Sequence, residues 1–263
     1  FVPLKESIRG FKAIINGEWH SHLILLCENM TGYKNLIHMV SLAFSEGFYM
    51  KPRIDMELLR EHSEGLICMS ACLAGAIPRA IANGNMDEAY EICEQFLEIF
   101  DREHFYLEIQ DHGIEEQKKV NEGLYQLAKE LNLDLVATND AHYLTRADAR
   151  TQDILMAIQM GKTVDDPTRM KFETQEFYIK DADEMAALFP KHPEALANTV
   201  KIAERCQVEF EFGKYHLPEF KVPEGYTSLT YFKKLCADGF AERYGEGTDK
   251  QKAQLEYEEN MIE

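Results

Sequence analysis

The sequence predicts an α/β fold, on three observations: short apolar runs of strand length, amphipathic helical periods between them, and a loss of periodicity near Leu217. The runs are HLILLC (His22 to Cys27), GLICMS (Gly65 to Ser70), FYLEI (Phe105 to Ile109) and LDLVAT (Leu133 to Thr138), each five or six residues long, as buried strands usually are. Between them, Met86, Ala89, Tyr90, Cys93, Phe96, Leu97 and Phe100 recur at steps of three and four, as do Val120, Leu124, Leu127, Ala128 and Leu131. Strands separated by helices imply βαβ units, hence a parallel sheet or barrel, because a parallel pair needs a crossover between its strands. From His216, HLPEFKVPEGYTS has two prolines, a glycine and no period, which predicts a linker; Ser228–Arg243 and Asp249–Glu263 then read as charge-rich helices.

Bulk properties narrow the function. The chain has 263 residues, 45% of them hydrophobic, enough for one large or two small domains with a real core. Its six cysteines form no CxxC pair, and neither a signal peptide nor a run of about 18 apolar residues appears, so a reducing, cytoplasmic setting without a membrane is expected. With 46 acidic against 28 basic side chains, the net charge of −18 argues against a broad surface that grips a phosphate backbone. The chain opens at Phe1 and stops within a helical pattern, so a segment of something longer is expected.

In α/β folds, functional groups collect at strand ends, where a rigid sheet holds accessible loops. VATNDAHYL ends a strand with Asp140 and His142, one residue apart; on an extended backbone such side chains share a face and can converge on one cation, although the same pair also caps helices. EWHSH places Glu18, His20 and His22 at alternate positions before HLILLC; an exposed hairpin accounts for Glu18 and His20, whereas His22 adjoins the apolar strand. Cys72, after GLICMS, is either a small core residue or a soft metal ligand. Asp111 and His112 follow FYLEI. Potential ligands at four strand ends predict a metal centre. In GKTVDDPTRMK, Lys162, Arg169 and Lys171 lack the glycine pattern of a phosphate loop and read as salt-bridge residues, while Arg53 in YMKPRID is a candidate for orienting a phosphate. His38, His62, His104, His192 and His216 read as surface or helix-end residues, and Trp19 as an anchor for the hairpin.

HLILLCENMTGYKNL, EGFYMKPRID, EGLICMSACLAGAIPR, FYLEIQDHGIEEQKKVN, LVATNDAHYL and IQMGKTVDDPTRMKFETQEFYIK, in that order, resemble the replicative bacterial DNA polymerase III alpha subunits. The resemblance covers essentially the whole chain: the N-terminal PHP (polymerase and histidinol phosphatase) domain, lacking its first strands, over 1–215, then a linker and the start of the polymerase core, on its palm and thumb side, over 216–263. It implies a distorted seven-stranded βα barrel with divalent metals, zinc or manganese, at its mouth, held by His22, Cys72, Asp140 and His142, the positions that match family ligands. Asp111 and His112 match a family motif that implies support of the ligands from behind or ordering of the loop rather than direct ligation. Glu18 and His20 do not match; the family's own HxH and GxE donors are expected before Phe1. The resemblance further implies DNA-directed DNA polymerisation with Mg²⁺, DNA and dNTPs by the parent protein, an auxiliary 3'–5' exonuclease or a structural docking role for this module, and replisome partners including a proofreading subunit and the sliding clamp.

Overall fold

The computed structural model describes residues 20–49, 51–215 and 217–262; Phe1, Val2, Glu18, Trp19 and His216 lie outside them. The order is β1 (Ile24–Cys27), α1 (Met30–Ser45), α2 (Met56–Glu61), β2 (Leu66–Met69), α3 (Ala76–Ala82), α4 (Met86–Leu97), β3 (Phe105–Ile109), α5 (Glu115–Leu131), β4 (Asp134–Ala137), α6 (Ala149–Gln159), α7 (Ala182–Leu188) and α8 (Pro193–Arg205). The chain divides into two units between Glu209 and Phe210. The second contains α9 (Ser228–Tyr244), capped by Thr227, and α10 (Asp249–Ile262). No described helix is long and apolar enough to cross a membrane.

Among the described residues the sheet has four strands in the order β1-β2-β3-β4. Strands β2, β3 and β4 run parallel, joined by helical crossovers as the alternation predicts. The expectation of an all-parallel sheet is corrected at β1, which pairs antiparallel with β2, from Ile24 opposite Met69 to Cys27 opposite Leu66. Two helical segments separate these strands, and the connection returns to the end from which it left: Asn29 caps α1 by accepting from the Gly32 N–H, and the Glu28 N–H donates to the Gly65 carbonyl at 2.9 Å. That close return is why Gly32 carries no side chain, since a Cβ there would lie 1.8 Å from the Gly65 carbonyl oxygen.

Alternate strand residues serve two cores, because successive side chains point to opposite faces. Leu66, Cys68, Phe105, Leu107, Ile109 and Leu135 join α3, α4 and α5 in the large core, where the Phe96 and Phe105 rings lie 5.4 Å apart. Ile67, Met69, Tyr106 and Val136 join Ile202 of α8 in a smaller one. Burial on both faces explains why β2 reads as an unbroken apolar run and β3 as a nearly unbroken one. Each fully buried Leu or Phe adds about 1.5–3 kcal/mol. All six cysteines are free thiols, and burial pushes Cys93 in the large core up to about 12.

At the other end of the sheet a charged network ties α8 to β1 and β3. Arg205 donates through Nε to Glu28 at 2.8 Å and through Nη1 to the Tyr106 hydroxyl at 3.1 Å, while His104 lies between Glu28 (3.1 Å) and Asp101 (2.6 Å). Partial burial pushes the Glu28 carboxyl up, but Arg205 and His104 outweigh it and hold Glu28 below its ordinary 4.5. In Asp101 the His104 bond likewise outweighs burial and holds the carboxyl below 3.8.

Two outcomes are expected. Gly32→Ala destabilises by roughly 2–3 kcal/mol in denaturant unfolding, because the added methyl meets backbone rather than a movable side chain. Carboxyls with lowered folded-state values stabilise above their unfolded values and lose that stabilisation as pH falls through the folded ones. The melting temperature of the wild type therefore drops as pH falls below 4.5, and Glu28→Gln, less stable at neutral pH, shows a shallower acid loss in a thermal melt series.

Candidate metal centre

Because β1 is antiparallel, its beginning lies at the edge where the other strands end. His22 precedes β1 and Cys72 follows β2, and the structure places His22 Nδ1 3.7 Å from Cys72 Sγ, across 50 positions of sequence. The segments are tied by backbone: the His22 N–H donates to the Ala74 carbonyl at 3.0 Å. Arg79, in α3, clasps both, donating to the His20 carbonyl at 3.3 Å and the Ala74 carbonyl at 3.1 Å. The packing is close, since a Cβ on Gly75 would lie 2.2 Å from the Ser70 carbonyl oxygen.

The pair suits a soft or borderline cation once the thiol is deprotonated. Burial, followed by the charges of Asp140 and Glu108, pushes the Cys72 thiol above 9.0, although the Ala74 amide favours the thiolate. Loss of hydration lowers His22 below 6.5, helped by Arg79, so its imidazole is neutral at neutral pH. Neutral imidazole beside thiol is a nitrogen and sulfur donor set of the kind zinc takes.

Asp140 and His142 are arranged differently from the extended DxH of the sequence reading. Asp140 has φ +43°, so the backbone turns there. His142 Nδ1 lies 2.8 Å from the Asp140 carbonyl oxygen and its N–H donates to the Phe177 carbonyl at 2.7 Å, with the ring edge-on to Phe172 and Phe177. A proton on Nδ1 bonded to a carbonyl leaves Nε2 as the lone-pair nitrogen, the tautomer metal-binding histidines use. Asp140 acts on Cys72 through its charge. Among the described residues, no group of three or more His, Cys, Asp or Glu side chains converges closely enough to hold a metal. The donor chemistry of the His22–Cys72 pair fits a borderline cation, and the set present is partial.

The other sequence candidates divide. His112 is fully buried: its Nε2 lies 2.6 Å from the Asn139 carbonyl, its Nδ1 2.8 Å from Gln117 Nε2, and its ring stacks on Phe177 at 4.1 Å. It shapes the turn that presents Asp140. Asn139 and Lys180 extend that support, Asn139 donating to the Tyr178 carbonyl and Lys180 to Asn139 at 3.1 Å. Asp111 accepts from the Gly113 N–H at 2.8 Å and closes its own turn. Arg53 lies over the Tyr49 ring, donates to the Gly47 carbonyl at 3.4 Å and lines a different groove, with Leu42, Glu46 and Asp55. Arg169 forks onto Asp153, and Lys162 holds Thr168, as the salt-bridge reading expects.

Sequence reasoning missed Glu108, Arg79 and the left-handed Ala71. Glu108, in β3, is 6% exposed and burial raises its carboxyl above 4.5. The available signal was a single acid in the otherwise apolar FYLEI. Ala71 has φ +64° and, like Asp140, lacks the freedom of glycine, a strain of about 1–3 kcal/mol at each position.

The fold is an α/β domain whose strand ends present a thiol, an imidazole and a carboxylate, and residues 6–112 match the PHP domain family. The chain thus carries a PHP-domain segment and is a relative, over nearly its whole length, of the bacterial DNA polymerase III alpha subunits. It is 43% identical to the DNA polymerase III subunit alpha of Treponema pallidum over 94% of this chain and 21% of the relative. It is 45% identical to that of Thermus aquaticus over 85% of this chain and 19% of the relative, and 44% identical to that of Borreliella burgdorferi over 94% and 22%. The chain spans about a fifth of the length of these relatives.

His112→Ala removes the ring partners of the Asn139 carbonyl and of Gln117 Nε2 and opens a cavity. It is expected to destabilise by about 3 kcal/mol in equilibrium unfolding, with local loosening at residues 139–142 in hydrogen exchange.

Proposed function

We propose that this chain is the PHP segment of a replicative DNA polymerase alpha subunit, and that its strand-end site binds a divalent cation, zinc or manganese, and hydrolyses phosphoesters, including a DNA 3' end. The observation that carries this reading is the meeting of His22 and Cys72 at 3.7 Å on the edge where Asp140 is presented. His22, Cys72, Asp140 and His142 would hold the ion, with further donors from the longer protein, within a sheet continued into a seven-stranded barrel. Divalent cations in such a site polarise a bound water and a phosphoryl oxygen. His22 brings a neutral imidazole, Cys72 a thiol that gives up its proton on binding, and His142 a ring whose tautomer is set by the Asp140 carbonyl. His112 and Asn139 hold the Asp140 turn in place.

In the parent protein, nucleotidyl transfer from dNTPs onto DNA would use Mg²⁺ on palm carboxylates beyond this chain; Glu256 and Glu258 lie on an exposed face of α10. The acidic balance places DNA contacts elsewhere or at a local point. Cytoplasmic replisome subunits, among them a sliding clamp and a proofreading exonuclease, would be its partners. In a second reading the module stabilises the polymerase and docks the proofreading subunit without chemistry of its own, with the hydrogen bonds of His112 and Asn139 around Asp140 serving the fold.

Release of nucleotides from a DNA 3' end by the full-length protein with Mn²⁺ tests the two readings. Asp140→Asn is expected to lower it by about 100-fold or more with metal still measurable by elemental analysis. Bound metal with hydrolysis indifferent to Asp140 would establish the structural reading.

A further inference from the structure

Glu108 occupies a position in β3 whose neighbours Leu107 and Ile109 are fully buried apolar residues. A carboxyl there is costly unless its oxygens are matched. Oε1 accepts from the Thr138 hydroxyl and from Gln110 Nε2 at 3.0 Å, and the Ala71 N–H is near enough to favour the carboxylate. The Glu108 N–H donates to Ser70 Oγ at 2.8 Å. Gln110 Nε2 also reaches Thr138 Oγ1 at 3.0 Å, and the Gln110 backbone carbonyl accepts from Asn121 Nδ2 at 2.9 Å. Oε2 of Glu108 and Oε1 of Gln110 have no hydrogen-bond partner among the described residues. Beside Ala71, Cys72, Glu108 and Gln110 is a cavity of about 10 Å³, room for one water.

These contacts reach two turns at once. Ser70 and Ala71 lead into Cys72 from β2, and Thr138 leads into Asp140 from β4. Each turn contains a residue other than glycine in the left-handed region, Ala71 and Asp140, and such conformations persist only where the surroundings over-determine them. β3 is the one strand that pairs with both β2 and β4, so a side chain on it can brace both turns.

We infer that Glu108 is a positioning residue that couples the Cys72 turn to the Asp140 turn, so that thiol and carboxylate are presented together to the cation. The presentation rests on the metal-site reading above; the coupling of the turns does not. Glutamine retains the shape and the acceptor oxygen facing Thr138, whereas alanine removes the brace.

The experiment compares Glu108→Gln and Glu108→Ala in the full-length protein, with Leu107→Ala as a control that weakens the core of the same strand. In metal-free protein, Glu108→Ala is expected to speed amide exchange at 71–75 and at 138–142 together, by about tenfold or more relative to the rest of the sheet. Glu108→Gln stays near wild type, and Leu107→Ala leaves the relative rates unchanged. In a Co²⁺ titration followed by thiolate-to-cobalt absorption, Glu108→Ala weakens binding about tenfold or more and Glu108→Gln restores it. Loosening of one turn only, or of neither, overturns the inference, as does a glutamine variant as damaging as alanine in the titration, which would make Glu108 a direct ligand. A wild type without the cobalt–thiolate band overturns the metal reading instead, and amide exchange then decides the coupling alone.

Discussion

The antiparallel pairing of β1 with β2 is the constraint on which the candidate site depends. A strand delivers functional groups to the edge toward which it points, and parallel strands all deliver them at their ends. His22 stands before its strand, so in an all-parallel sheet it would lie at the far edge, a strand's length from Cys72. Reversal of β1 places Ile24 opposite Met69 and turns that separation into a 3.7 Å contact. The reversal depends in turn on the closeness of α1 to the start of β2, where a carbonyl occupies the space a side chain at position 32 would need.

Charge is segregated along the strands in a way that serves both edges. At the far edge, Glu28, Arg205, His104 and Asp101 form a mutually compensated network, and the carboxyls stay ionised. At the near edge, Cys72 and Glu108 are pushed toward their neutral forms and the imidazole of His22 toward its uncharged form. Burial, more than neighbouring charge, sets the state of these three groups. The first network fastens α8 over the sheet; the second is held by buried hydrogen bonds from Gln110, Gln117 and Thr138, which give direction without supplying compensating charge.

Legibility differed by element for physical reasons. FYLEI was bounded to the residue, because a strand buried on both faces is apolar at nearly every position, and the other three strands fell within their predicted runs. The long helices α4 and α5 were visible through their apolar stripes. Of the site, the DH pair after FYLEI drew notice to His112, whose ring bonds to Asn139 and Gln117 depend on residues a local pattern does not contain. The Asp140–His142 spacing suggested an extended presentation, whereas the left-handed Asp140 bends the chain; nothing in a two-residue interval encodes a backbone angle set by contacts from Phe177 and His112. Arg53, attractive as a charge near a strand, lies over Tyr49 instead.

By itself the sequence determined where the four strands and the most periodic helices lie, because periodicity and residue type are local properties. Its resemblance to the polymerase alpha subunits likewise resides in contiguous stretches and was readable there. Tertiary structure alone decided the direction of β1, the meeting of His22 with Cys72, and the placing of an acid on β3 between two turns. Each depends on residues tens of positions apart sharing one small volume, and strand direction is set by how the intervening helices pack, which no local pattern records.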